Sequence, residues 1–587
     1  MEDKLAELIT GALAELGVIN VKVSLEHPAE ITHGDYATNV AMVAAKAAGK
    51  NPRALAEEIV AKLKQGNTVE IADVFIAGPG FINFKLSNAF FTNALSESLD
   101  NADAFGKNET LANTKVVVEY TDPNPFKEFH IGHLMSNTIG ESISRLVEAS
   151  GAETKRACYQ GDVGLHVAKA VWRLMQIRQS MGSGEFRTHV AEVSGFGAEA
   201  YMPKVYAEGS RAYEEDEGAK NAINKINKEI YKLIGSSDEL NSPNPISSNY
   251  RFGKEWSLNE FEHIYKRLGT NHGPEKAFDF YFFESKTGEF GKKVVGEHRD
   301  IFETSEGAVV YKGDEAKGLH TRVFINKEGL PTYEAKELGL AQIKYDAYPY
   351  DTSIIITGNE VNDYFRVLLD AMAKVFPELA PKTEHYSHGM LRLPTGKMSS
   401  RTGDVITAEA LIANVKARAI AKINNENFTD EEKSAIAEMV AVGAIKYSIL
   451  RQASGKDIIF DFEQSLSFEG DSGPYLQYTY ARTCSLLKKA GEKKANALAM
   501  TSSEIIPFHK YILRFPEVVL RAQEAREPHF VATYLIEIAR EFNAFYSNNP
   551  ILDGAPDEPY KLALVQSVSH ILKCGLGLLG IEAPDRM

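Results

Sequence analysis

The stretch that most constrains the fold runs from Lys115 to Gly164. It reads as a strand ("KVVVEYT"), a loop ("DPNPFKEFHIG"), a helix ("HLMSNTIGESISRLVEAS") and a second strand ("TKRACY") that ends at "QGDVG". A β-branched run, an amphipathic helix stopped at Gly151 and another strand make a βαβ unit, the building block of a doubly wound parallel sheet. Strand and helix signals resume at "FDFYFFES", "TRVFINKEGLPTYEAKELGLAQI" and "TSIIITGNE", so the sheet domain is expected over residues 106–405. Within it, residues 180–270 are polar, punctuated by Gly and Ser, and carry "YEEDEGAKNAINKINKEIYKLI"; they read as a mostly helical insertion.

Two further domains flank this one. Over residues 1–105, "GDYATNVAMVAAKAAG" and "NPRALAEEIVAKLKQG" have helical periodicity, whereas "DVFIAGPGFINFKLS" alternates like a half-buried strand pair, giving an α+β module. Over residues 406–587 strand signals fade into long helical segments such as "EEKSAIAEMVAVGAIKYSILRQ" and "YKLALVQSVSHILKCGLGLLG". The expected fold is multidomain α/β, a Rossmann-like doubly wound parallel sheet between an α+β N-terminal domain and an all-α C-terminal domain. A chain of 587 residues is long enough for such a division.

Composition excludes some classes. No apolar run approaches the roughly 18 residues a membrane span needs, and "MEDKLAELITGALAELG" carries acids where a signal peptide carries bases, so it reads as a helix. Cys158, Cys484 and Cys574 are far apart and form no CxxC pair, which argues against a disulfide framework or a zinc cage and for a reducing cytoplasm. The net charge of -15 lowers the expectation of a nucleic-acid partner without excluding one, because binding depends on where bases cluster.

The chemistry concentrates in "PNPFKEFHIGHLMSNTIGES", residues 123–142. His130 and His133, three apart around Gly132, admit three readings: a metal pair, two capping or packed histidines, or a phosphate-binding corner. A zinc site wants more ligands and a settled helix. A loop leaving a parallel strand and entering a helix N-terminus is a natural anion site, and Gly132 clears room for a flat ligand, which suits ATP. Nucleotidyl transfer then calls for a second basic element. "LPTGKMSSRTGD", residues 393–404, offers Lys397 and Arg401 around two serines.

"HIGH" in a first βαβ unit, paired with a distant "KMSSR", resembles the two signatures of class I aminoacyl-tRNA synthetases. Longer stretches are similar to the arginyl-tRNA synthetase family: "EYTDPNPFKEFHIGHLMSNTIGESISRLVEASG", "GLPTYEAKELGLA", "GMLRLPTGKMSSRTGDVIT", "GPYLQYTYARTCSLLKKA" and "GLLGIEAPDRM". The likeness covers nearly the whole chain except roughly residues 180–270.

The resemblance implies activation of L-arginine by ATP, with Mg2+ accompanying the nucleotide, to arginyl-adenylate and pyrophosphate. Transfer to the 2′-hydroxyl of the terminal adenosine of tRNA(Arg) follows, with activation dependent on bound tRNA. His130, His133, Lys127 and Lys397 would carry the catalysis, and Gly132, Met398, Ser399 and Arg401 would join the histidines in holding ATP. Glu119 and Asn124 would take the amino end of arginine, and Tyr333 and Glu337 the guanidinium, a group that needs a planar anionic receptor. Phe81 and Asn83 would meet a D-loop base; Tyr475, Gln477, Tyr478, Arg482 and Met587 would form a DALR-type anticodon face, although at helical spacing some of these belong to the core. The implied protein is a cytoplasmic monomer with no membrane partner and no resident metal.

Several positions depart from the family pattern. Glu337 stands where aspartate is usual, Val361 where glutamine is frequent, and Tyr364 where histidine is frequent. Ser400 replaces the second lysine of the phosphate loop, a loss for which Lys127, just ahead of the histidines, would compensate. A cysteinyl synthetase would need zinc ligands that three scattered cysteines do not provide. A noncatalytic RNA-binding relative would be free to lose the histidine and lysine set, and a small nucleotidyltransferase would not need the helical domain.

Overall fold

The computed structural model describes residues 1–28, 33–66, 68–181, 185–186, 201–234, 243–270, 276–393, 406–423, 428–500, 506 and 508–587. At the N-terminus, helices Glu2–Glu15, Val40–Ala48 and Pro52–Leu63 pack on an antiparallel sheet of β1 (Tyr36–Thr38), β2 (Ile71–Ala77) and β3 (Phe81–Leu86), with β3 in the middle. The helical reading from Gly34 onward is corrected here: Tyr36–Thr38 is a strand and the helix begins at Val40. Gly34, at φ +92°, brings the chain so close to β3 that a Cβ would lie 2.5 Å from the Phe84 carbonyl oxygen.

The central domain contains β4 (Lys115–Glu119), β5 (Glu153–Gln160) and β6 (Phe280–Phe283). A small antiparallel sheet of β7 (Glu303–Ser305), β8 (Ala308–Tyr311) and β9 (Arg322–Ile325) follows, and then β10 (Thr352–Gly358) and β11 (Thr383–His388). The main sheet runs β11-β10-β4-β5-β6 and every pairing in it is parallel. The valines of β4 are buried on both faces, as a central parallel strand requires. The strand order reverses beside β4, since the chain proceeds to β5 on one side and later returns to β10 on the other; ligands of doubly wound sheets lodge at such a reversal.

Helix Ile131–Ala149 crosses the sheet and is buried nearly all round. Gly140 makes this possible, because a Cβ there would meet the Tyr120 ring at 2.2 Å. Its buried hydroxyls bond back to its own carbonyls, Thr138 to Leu134 and Ser144 to Gly140, so they add no orphaned polar group. Arg156 of β5, fully buried, is clasped by Glu141 at 2.9 Å and Glu148 at 2.6 Å. Between β5 and β6, helices Tyr201–Glu215, Glu217–Ile234 and Pro245–Arg267 gather with helix Leu165–Ser180 around their own apolar cluster.

Helices Ala408–Lys422 and Asp430–Leu450 pack on helix Ile131–Ala149, and a short parallel pair, β12 (Leu391–Arg392) with β13 (Ile458–Ile459), ties this region to the sheet domain. Helices Gly473–Ala490, Phe515–Ala525, His529–Asn548 and Glu558–Leu578 complete the helical part. One hydrophobic cluster runs from Val116 in the sheet through Leu134 and Ile143 to Leu572 and Ile581.

Candidate active site

A cavity of about 690 Å³ opens at the carboxyl ends of β4 and β10, where the strand order reverses. Its floor is the loop after β4, in which Thr121, Asp122 and Phe126 hold left-handed backbone at φ +81°, +49° and +72°. Such strain persists only where the surroundings enforce it. Here Tyr159 N–H donates to Asp122 at 2.7 Å, Phe126 N–H to Ser257 at 2.9 Å, and Asn137 to Thr121 at 3.0 Å.

At one end of the cavity His130 caps helix Ile131–Ala149. Its Nδ1 accepts from the N–H of Gly132 at 3.1 Å and of His133 at 3.4 Å, while His133 Nδ1 accepts from His130 N–H at 3.2 Å. This is a capping box built of imidazoles, with the rings stacked 3.7 Å apart. Capping and anion binding are therefore compatible. A ring whose Nδ1 accepts must, when neutral, carry its proton on Nε2 and offer it as a donor. Both rings stay neutral: burial, helped by the charge of Lys127, pushes His130 down to about 4, and burial with the neighbouring His130 holds His133 well below the usual range. Because both Nδ1 atoms are committed to the backbone, the pair lacks the free geometry of a metal site.

The other end is acidic. Five carboxyl side chains border the cavity, Glu119, Asp122, Glu284, Glu337 and Glu360, and among the described residues no lysine or arginine does. Two of the five are already answered from behind: Lys344 binds Glu119 at 2.7 Å and Lys336 binds Glu284 at 2.6 Å. Asp122, Glu337 and the exposed Glu360 form no ion pair among the described residues. Burial, reinforced by Glu119, pushes the carboxyls of Asp122 and Glu337 well above their ordinary range. Glu337 also accepts a long 3.4 Å bond from Tyr364.

The remaining predicted residues fall into place unevenly. Asn124 lines the cavity and accepts from Gly161 N–H at 2.9 Å; Tyr333, 64% exposed, stands one turn from Glu337 at the start of helix Tyr333–Ala347. Val361 and Tyr364 also line it. Glu119 is there but its charge is matched by Lys344, so it is no free receptor. Lys127 borders an adjoining cavity of about 450 Å³ with Lys169, Lys336 and His166; its ammonium lies 5.7 Å from the Tyr206 ring centre, and burial lowers its pKa. Lys397, Met398, Ser399 and Arg401 lie outside the described residues. The described chain on either side touches the histidine corner: Leu391 lines the cavity, Ile406 O accepts from Ile131 N–H, and Ala408 N–H donates to Phe129 O.

The expected tRNA face needs correction. Gln477 is fully buried and its amide donates to Met439 O at 3.0 Å and Glu582 O at 2.7 Å, so it is an internal strut on the side of the helix away from Tyr478. Asn83 is buried in β3 with its amide on His33 O, facing the domain interior. Tyr475 and Met587 are half-buried against the core, and Phe81 is half-buried at the start of β3. Tyr478 and Arg482 do form a surface: the guanidinium lies 4.9 Å from the Tyr478 ring and 5.1 Å from that of Tyr546, and it bonds Asn543. The sequence reading missed Asp122, whose lone acid beside a proline looks like ordinary turn chemistry.

Comparison with known proteins gives the family. Residues 94–462 match a family profile described as "tRNA synthetases class I (R), catalytic domain", residues 476–587 a "DALR anticodon binding domain", and residues 3–86 an "Arginyl tRNA synthetase N terminal domain". The arginine–tRNA ligase of Fusobacterium nucleatum is 32% identical over 581 residues, covering 95% of each chain, and that of Bacteroides fragilis is 30% identical over the full length of both. Among solved structures, an arginyl-tRNA synthetase from Thermus thermophilus superposes with a TM-score of 0.80 at 25% identity, covering 100% of both chains. The Plasmodium falciparum enzyme gives 0.77 at 20% identity, over 100% of this chain and 99% of that one, and shows the shared fold.

Proposed function

The chain belongs to the arginyl-tRNA synthetase family, whose standard reaction joins arginine to its tRNA at the expense of ATP, and from that premise we propose how its residues divide the work. The observation that carries the reading is the polarity of the cavity, acidic at one end, where no lysine or arginine among the described residues lines it, and lined by neutral imidazole donors at a helix N-terminus at the other. Arginine seats its positive groups at the acidic end, with Glu337 and Tyr333 around the guanidinium and Asn124 near the amino group. Its carboxylate is then left toward the histidines, where the α-phosphorus of ATP must lie for attack.

No side-chain nucleophile is required, because the arginine carboxylate attacks the phosphorus directly and pyrophosphate leaves. His130 and His133 donate through Nε2 to oxygens on which charge builds, and as neutral rings they do so without a proton transfer. Lys127 adds fixed charge from the adjoining cavity, and Lys397 with Met398, Ser399 and Arg401 completes the phosphate binding, since the described chain flanking that segment is bonded to the histidine loop. Mg2+ would accompany ATP and would supply neutralisation of phosphate charge; among the described residues no group of three or more His, Cys, Asp or Glu side chains is placed to hold a resident ion. In the second step the 2′-hydroxyl of the terminal adenosine attacks the adenylate carbonyl, the carbonyl–phosphate bond breaks, and AMP leaves as the hydroxyl proton is lost.

Tyr478, Arg482 and Tyr546 form the stacking surface proposed for anticodon bases, and Phe81 is proposed to meet the D-loop. We place the protein in the cytoplasm as a monomer; that one chain carries all three family segments supports the second point. The test is ATP–pyrophosphate exchange with arginine, cysteine, lysine or glutamine, each with and without tRNA. Arginine alone should support exchange, and only with tRNA present; exchange driven by another amino acid would refute the specificity.

A further inference from the structure

We propose that Asp122 receives the α-ammonium group of the substrate arginine beside Asn124, a task the family pattern would leave to Glu119; the proposal rests on the arginine-activating reading above. Arginine brings two positive groups, and three cavity carboxyls make no ion pair among the described residues: Glu360, which is exposed, and Asp122 and Glu337, which are partly buried and feel Lys344 only from a distance. Glu119 is a poor candidate because Lys344 already occupies it at 2.7 Å, with each side chain of the pair 2% exposed. A second cation there would face the ammonium of Lys344 at close range.

The geometry separates the two partly buried acids by role. Glu337 lies on the helix face it shares with Tyr333, whereas Asp122 shares the loop of Asn124, two residues away. Both loop side chains are braced on the end of β5: Tyr159 N–H holds Asp122 Oδ1 at 2.7 Å and Gly161 N–H holds Asn124 Oδ1 at 2.9 Å. Asp122 Oδ2 has no hydrogen bond among the described residues, so one carboxylate oxygen remains for the ligand. The raised pKa of Asp122 fits a carboxyl that lacks its cation until substrate arrives.

Asp122→Asn tests this without disturbing the loop, because Asn tolerates left-handed backbone and keeps an oxygen for Tyr159 N–H. Full-length wild type, D122N and E337Q are compared for binding of arginine, agmatine, which keeps the amine and guanidinium, and 5-guanidinopentanoate, which lacks the α-amino group. D122N should weaken arginine and agmatine by about 10- to 100-fold while leaving 5-guanidinopentanoate within about twofold, the loss expected of one charge-assisted contact. E337Q should weaken all three. The proposal is overturned if D122N leaves arginine unchanged, or weakens 5-guanidinopentanoate as much as arginine. Failure of the underlying reading shows separately, as a wild-type enzyme that does not prefer arginine over citrulline.

Discussion

Lys127 is where a single residue has the clearest functional consequence. Its ammonium is half-buried in a cavity it shares with Lys169 and Lys336, makes no ion pair among the described residues, and lies close enough to His130 and His133 to lower the pKa of both. Glu284 and Glu128 act on it from a distance, yet burial still lowers its pKa, and an ammonium kept partly desolvated without an ion pair is stabilised when an anion joins it. Lys127→Ala is therefore expected to reduce ATP–pyrophosphate exchange by about 100-fold or more, as loss of one preorganised phosphate contact does, while thermal unfolding shifts little. Exchange at the wild-type rate would remove Lys127 from the mechanism. At this scale the sequence was partly legible. The histidine pair and Lys127 announce themselves by order along the chain, but whether the histidines cap, bind anions or do both depends on which ring nitrogen meets the backbone. Asp122 could not be recognised at all, because its significance is that no described cation pairs with it, and the lysines that pair with its neighbours come from more than 200 residues later. Gln477 failed for the opposite reason, since helical spacing does not say which side faces in.

At the scale of elements, helix Ile131–Ala149 is held by an ionic clasp as well as by apolar packing. Glu141 bonds Arg156 at 2.9 Å, Arg145 at 2.7 Å and Tyr120 at 2.6 Å, and despite burial the two arginines hold its carboxyl down to about 2, from an ordinary 4.5. A depressed carboxylate contributes stability that is present above its unfolded pKa and lost as pH falls through its folded one, so here the window is from about 4.5 down to about 2. Glu141→Gln should cost about 3–5 kcal/mol near neutral pH, since it leaves Arg156 buried with only Glu148. Denaturation of wild type and E141Q should show the gap narrowing as pH drops below about 4.5; a constant gap would mean that the charge of Glu141 is not what holds the clasp. The elements themselves were legible where they are long. The β4-helix-β5 unit stands out through a valine run, an amphipathic stretch and a glycine stop. Strands of three or four residues, such as β1 and β7, are too short for alternation to register, and β1 was hidden inside an apparently helical run.

At the scale of the whole molecule, the helical region and the site domain meet through polar contacts at the far end of that same helix. Lys446, fully buried, donates to Leu268 O at 2.5 Å and Gly580 O at 2.6 Å; Arg145 donates to Gly577 O at 2.9 Å and Ser142 to Leu578 O at 2.9 Å. Residues 577–580 are thus bonded to the helix whose first turn presents His130 and His133, and Gln477 bonds the next residues to the proposed anticodon helix through Glu582 O. The class I profile runs to residue 462, well past the boundary at 405 suggested by fading strand signals, because helices Ala408–Lys422 and Asp430–Leu450 pack on the site domain and helical character alone cannot reveal that. If Lys446 is a joint of this interface, Lys446→Met should leave two buried carbonyls unsatisfied, at roughly 1–3 kcal/mol each, while its unbranched chain refills most of the volume. Multidomain chains unfold as one unit only while their interfaces hold. Calorimetry of K446M should then show the helical region melting ahead of the sheet domain, with arginine and ATP together raising only the later transition. Melting of K446M in one step at the wild-type midpoint would show that the apolar cluster from Val116 to Ile581, rather than this polar joint, binds the two halves together.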